Sequence, residues 1–162
     1  MRTHITILAA VALAVAAGGA WAMGNDPQPS SSSSRPAAPP SDYGRAKAMI
    51  EARNYREAIP LLQQVVAKEP RNADAYNLLG YATRKSGNPA GSLQYYTTAL
   101  QLDPKHLGAN EYIGEAYLML DQPQQAEQHL ARLGQLCTFG CTEERALKAA
   151  IANYRAGKKP TN

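Results

Sequence analysis

The sequence predicts an all-α fold, a short solenoid of about three helix-turn-helix units closed by one further helix. Three observations predict it. The chain repeats itself with a period of 34 residues: Pro70 and Pro104 are one period apart, as are Ala46, Gly80 and Gly114, and as are Ala58, Ser92 and Ala126. Apolar residues recur at helical spacing, as in Ile59, Leu62 and Val66, in Tyr95, Ala99 and Leu102, and in Ile113, Tyr117 and Leu120. Helix-start chemistry falls at matching places: Asn54, Asn88 followed by Pro89, and Pro123. Small residues in the second and third of these series let paired helices approach closely.

The elements can be justified in chain order. Residues 1–22 are expected to be a signal peptide, with Arg2, an apolar run from Ile5 to Ala17, and small residues ending Ala20-Trp21-Ala22. The alternative is a retained anchor, since Ile5 to Met23 is just long enough to span a bilayer. Gly18 and Gly19 interrupt that run and no basic stop follows it, so cleavage is the expectation, with no stable membrane insertion afterwards. No cysteine stands at the cleavage point to carry a lipid. Residues 23–41 are rich in Pro and Ser and have almost no large apolar side chain, so a disordered linker is expected there.

The folded domain is expected over residues 42–157. Its repeats fall at about 39–70, 71–104 and 105–138, with a cap helix over 142–156. In the first repeat Asn54 is placed to cap the second helix, with Glu57 at the capping-box offset. In the second, Asn88 caps and Pro89 takes the first helical position, where its missing N–H costs nothing. Two residues work against their helices: Pro60 removes a backbone bond, and Gly91 costs about 1 kcal/mol relative to Ala. The cap helix reads TEERALKAAIANYRAG, with Thr142 as N-cap, acids in the first turn, an apolar stripe of Leu147, Ala150, Ile151 and Tyr154, and Gly157 as terminator. Residues 158–162 are expected to be a solvated tail.

These residues carry a family resemblance. The chain resembles the tetratricopeptide repeat proteins, most closely in Tyr76, Leu79-Gly80, Gly87, Tyr96, Ala99 and Leu102-Asp103-Pro104 of the second repeat. The third repeat keeps Ile113-Gly114, Tyr117, Ala126 and Leu130; the first keeps Tyr55, Ala58, Leu62 and Pro70. Thr83 stands where a large residue is usual, and Asn110 where an aromatic is. The resemblance implies a right-handed stack of helix pairs with a concave groove that holds peptides.

On that resemblance the groove is lined by one face of each first helix. The expected residues are Tyr43, Lys47, Ile50 and Glu51; Asp74, Asn77, Tyr81, Arg84 and Lys85; and Glu111, Glu115, Leu118 and Met119. Arg84 and Lys85 are expected to attract an acidic group, with Tyr81, Leu118 and Met119 as an apolar anchor. Tyr43 and Glu111 do not fit the carboxylate clamp of some family members, so that specificity is not carried over.

The stretch CTFGC, residues 137–141, holds both cysteines of the chain and replaces the proline turn that ends the first two repeats. A c-type haem handle needs His after the second Cys, and Thr142 stands there. A structural zinc needs about four ligands, and His106 and His129 are not spaced with the cysteines to supply them. A catalytic dithiol is usually C-x-x-C on a strand-containing fold. A structural disulfide between Cys137 and Cys141 fits the export signal, the even count and the turn. Free thiols are the remaining alternative.

Composition narrows the function further. The formal charge is +4, from 17 basic and 13 acidic residues with no basic block, which argues against a nucleic-acid partner. No P-loop, G-x-G-x-x-G, H-E-x-x-H or G-x-S-x-G motif occurs. The expectation is a periplasmic or secreted interaction module without a catalytic site, cofactor or metal, an adaptor or assembly factor for a protein or peptide partner. The alternative is a thiol-linked accessory factor in periplasmic cytochrome or disulfide maturation.

Overall fold

The computed structural model describes residues 41–161, so the expected signal peptide and all but the last residue of the linker lie outside it. Among the described residues there are seven helices and no strand: α1 (Asp42–Glu51), α2 (Tyr55–Lys68), α3 (Ala73–Lys85), α4 (Pro89–Leu102), α5 (Leu107–Met119), α6 (Pro123–Leu136) and α7 (Thr142–Arg155). Each helix packs on its neighbour in sequence up to α6, and α7 packs on both α5 and α6. The all-α repeat architecture therefore matches the sequence expectation. None of the described helices is long and apolar enough to cross a membrane.

The helix ends follow from local chemistry. Ser41, Asn72 and Asn88 each accept a backbone N–H three residues on, at 3.1, 2.9 and 2.8 Å. Asn54 occupies the N-cap of α2, but its side chain makes no capping bond. The N-cap of α7 is Cys141, so Thr142 is its first helical residue and not the cap expected from the sequence. Turns inside the three repeats also share a register: Arg53, Gly87 and Asp121 all take positive φ, at 62°, 97° and 59°. The turn needs that left-handed residue, and only the second repeat supplies glycine for it. Gly91 proves useful where it stands, because a Cβ there would lie 2.4 Å from Nδ2 of Asn88, the residue that caps α4.

The core runs along the stack in three linked clusters. Ala46, Ala58, Leu61, Leu62, Leu79 and Ala82 join α1 to α3. Tyr96, Ile113 and Ala116 join α4 to α5, and Leu118, Ala126, Leu133, Leu147 and Ile151 join α5, α6 and α7. The small residues of the 34-residue period are the crossing points. Ala46, Ala58, Ser92 and Ala126 are fully buried. A Cβ on Gly80 would sit 2.7–3.0 Å from the ring of Tyr96, and one on Gly114 would sit 2.6 Å from Cδ2 of Leu147.

Cys137 and Cys141 are joined by a disulfide in the turn between α6 and α7. The loop it closes is short, so in the chain-entropy account the bond contributes no more than about 2 kcal/mol. Phe139 at the tip of that loop is 99% exposed.

Gly80→Ala should lower the unfolding free energy by about 1–2 kcal/mol, because overpacking against Tyr96 outweighs the helix propensity gained. Gly91→Ala should be within about 0.5 kcal/mol of neutral, since the propensity gained offsets the weakened Asn88 cap. Urea denaturation of both variants checks the contrast, and equal loss in the two would remove the crossing-point argument. Reducing the disulfide should lower the urea midpoint by the equivalent of at most about 2 kcal/mol while leaving the far-ultraviolet circular dichroism unchanged.

Candidate functional site

A cleft of about 750 Å³ opens between α3, α5 and α7. Tyr81, Arg84 and Lys85 reach it from α3; Glu111, Tyr112 and Glu115 from α5; Ala146, Ala149, Ala150 and Asn153 from α7. Residues 158–161 close one side. A second recess of about 540 Å³ lies toward the first repeat, lined by Ile50, Glu51, Arg53, Tyr55 and Leu78, and shares Tyr81, Lys85 and Tyr112 with the first. The two form one concave strip. Tyrosines run along it: the rings of Tyr55 and Tyr81 meet edge-on with centroids 5.8 Å apart, and those of Tyr81 and Tyr112 lie at 4.9 Å.

Arg84 is the centre of the site, and it is only 3% exposed. Its Nη2 pairs with Oε2 of Glu115 at 2.7 Å, and its Nε donates to the Tyr96 hydroxyl at 3.4 Å. Its guanidinium lies 5.4 Å from the Tyr81 ring centroid and 5.7 Å from that of Tyr112. Nη1 also approaches the Met119 sulfur at 3.9 Å. Burial opposes the charge on Arg84, Tyr96 and Glu115 favour it, and the balance raises its pKa. A cation held this closely is committed to its own fold, which corrects the expectation that Arg84 attracts an acidic ligand. Lys85 is freer: its ammonium lies 6.0 Å from the Tyr55 ring centroid and donates to the Thr161 carbonyl at 3.4 Å.

Glu111 is the least satisfied charge in the cleft. Its carboxyl is pushed up to about 7, first by burial, then by Glu115 and Glu143, with Arg84 pulling the other way. Burial also pushes the Tyr112 hydroxyl up to about 12.

The expected groove residues separate on inspection. Tyr81, Lys85, Glu111 and Glu115 come together in the cleft, with Arg84 as its buried floor. Met119 is half-buried behind Arg84. Leu118 is fully buried among Leu133, Leu147 and Ile151, so it belongs to the core and not to the groove. Asn77 is likewise buried, with an unpartnered Oδ1. Lys47 is exposed and Tyr43 half-exposed on α1, and neither lines the cleft. Asp74 instead meets Nε2 of His106 at 3.1 Å, while Nδ1 of His106 accepts the Ala109 N–H and caps α5. Asn110 is buried, bonding the His106 carbonyl and Nδ1 of His129. The sequence reading missed Tyr112, Tyr55 and the tail, residues 158–161. It also missed the burial of Arg84, although Ile50 and Leu118, one period to either side, are apolar and signal a core position.

Two family models match the chain, both described as tetratricopeptide repeat, over residues 43–106 and 83–136. The chain is a tetratricopeptide repeat protein. No curated protein matches it. Among solved structures this tetratricopeptide repeat chain is similar to MamA from Desulfovibrio magneticus RS-1 (residues 41 to the end), with 26% identity, a TM-score of 0.57, and coverage of 59% of this chain and 54% of that one. It is similar to the MamA RS-1 ArsTM double mutant at the same identity and TM-score, covering 53% of that chain. MamA from AMB-1, at 22% identity and a TM-score of 0.56, shares the fold. The chain spans about half the length of these structures. Tetratricopeptide repeats are protein-interaction units, and the cleft is the concave surface they offer here.

The raised Glu111 carboxyl gives a prediction with a definite sign. The folded chain holds this proton more tightly than the unfolded one, so ionising Glu111 costs stability as pH rises from about 4.5 to about 7. Glu111→Gln should therefore stabilise the fold at pH 8 and give no gain at pH 4. The carboxyl is partly open to water, which discounts the gain to about 1 kcal/mol. Urea unfolding at the two pH values checks it; a gain larger at pH 4 than at pH 8 would reverse the assignment.

Proposed function

We propose that the protein is an exported adaptor or assembly factor, working in the periplasm or outside the cell, that holds a segment of a partner protein in the cleft between α3, α5 and α7. The observation that carries this reading is the tyrosine-walled strip of Tyr55, Tyr81 and Tyr112, open to solvent above the ion pair of buried Arg84 with half-buried Glu115. Half-buried tyrosines beside a fixed charge pair supply flat, amphipathic contact area at small entropic cost, the composition of interface anchors. The export signal read in residues 1–22 supports the location, and the Cys137–Cys141 bond suits an oxidising compartment. That bond stands in the α6–α7 turn and not among the residues of the cleft, which favours an orienting role over thiol chemistry.

In-cell crosslinking and pull-down tests the reading. The natural protein should capture a small set of envelope proteins. Tyr81→Ala should lose them, and Gln94→Lys on the exposed side of α4 should keep them. Equal capture by all three, with unchanged circular dichroism, would show that the cleft is not the binding surface.

A further inference from the structure

The chain beyond α7 does not lead away into solvent. Gly157 takes φ +79°, its N–H donates to the Tyr154 carbonyl, and the Lys158 N–H donates to the Asn153 carbonyl, both at 2.9 Å. This closes the helix and turns the chain back. Lys159 then pairs with the carboxylate of Asp121, in the turn after α5, which also accepts the Tyr154 hydroxyl at 3.0 Å. Farther on, the Thr161 carbonyl accepts from Lys85 at the end of α3. Residues 158–161 therefore lie along one side of the cleft, tied to the α5–α6 turn at one end and to α3 at the other. Pro160 is partly buried there.

The charge of the cleft explains what such a segment finds. Arg84 is spent on Glu115, and Lys85 is drawn aside to Tyr55 and Thr161. Among the described residues neither Glu111 nor Glu143 has an ion-pair partner, and Tyr112 stands beside Glu111 with its ring open to the cleft. An unpaired carboxylate next to an aromatic face suits an ammonium or guanidinium group.

We infer that the cleft takes an extended, lysine- or arginine-bearing segment of the partner, and that the chain's own Lys158–Thr161 stretch is a strap which this segment displaces. The inference rests on the adaptor reading of the cleft and names the chemistry of what enters it. A strap of this kind lowers the apparent affinity of a competing segment by the fraction of time it is closed.

The test is a nuclear magnetic resonance titration with two synthetic probes, the capped peptides Gly-Lys-Lys-Pro-Thr and Gly-Glu-Glu-Pro-Thr. Releasing the strap by Lys159→Glu with Pro160→Gly should shift the amides of Tyr81, Lys85, Glu111 and Tyr112. The basic peptide should then bind the released protein about tenfold more tightly than the natural one, the acidic peptide should not bind, and Glu111→Lys should abolish the interaction. Unmoved cleft amides on release, equal affinity for both protein forms, or equal binding of the acidic peptide would each overturn the inference. The crosslinking result keeps the two readings apart. Captured partners lost in the Tyr81→Ala variant while the titration shows no strap effect would leave the adaptor standing and remove the strap. A strap effect with capture indifferent to that variant would do the opposite.

Discussion

The missing side chain at Gly80 is the constraint on which the cleft depends. Because nothing projects there, the Tyr96 ring lies directly over the α3 backbone and is wholly buried. Its hydroxyl then faces the Arg84 side chain, one turn farther along α3, and that side chain reaches across to Glu115 on α5. The same device is used one period later. Gly114 leaves room for Leu147, which seats α7 against α5 and gives the cleft its third wall. Two absent Cβ atoms thus fix both a charge pair and a helix. A small residue at a helix crossing is usually credited only with close packing, but here the packing is also what orients the polar floor of the site.

Arg84 shows how a buried charge can serve the fold and, through it, the surface. Removing a guanidinium from water is costly unless its hydrogen bonds and its charge are met. Here Glu115, the Tyr96 hydroxyl and the faces of Tyr81 and Tyr112 meet them together. The consequence reaches beyond stability. The two tyrosines that help hold Arg84 also present surface to the cleft, so their positions are fixed before any partner arrives. Preorganised aromatic surface loses little entropy on binding. The pairing also cancels one of the two positive charges expected of the groove on α3, Lys85 being the other, and leaves Glu111 as the acid without an ion-pair partner among the described residues that line it.

Much of the fold was legible in the sequence because it is periodic. The 34-residue interval, the proline and asparagine starts and the apolar spacing are local signals, and helices respond to local signals. The site was legible only in part. Tyr81, Lys85, Glu111 and Glu115 share a helix face that the repeat register predicts. Arg84 was misread because a charged residue suggests solvent, although Ile50 and Leu118 at the equivalent positions mark a core site. Leu118 is the converse case: an apolar residue at the edge of the expected groove face belongs to the buried side of the helix. Tyr112 precedes core residue Ile113 and falls in the seam between the recesses, a place defined by how α3 and α5 cross and not by either helix alone. Residues 158–161 have no repeat register, and a short polar segment rich in lysine reads as solvated whatever it lies against.

The third wall of the cleft gives the disulfide its significance. A repeat array grows by adding similar units, so a groove built from repeats alone would be open at its end. Here α7 ends it, and the residues α7 contributes, Ala146, Ala149, Ala150 and Asn153, are short side chains that leave space beside Glu111 and Tyr112. The angle at which α7 leaves α6 therefore bears on the width of the cleft. The turn that sets this angle has no proline of the kind that ends the first two repeats, and holds the Cys137–Cys141 bond in its place. A crosslink closing so short a loop contributes little to global stability. What it constrains is the α6–α7 turn itself, from which the α7 wall sets out.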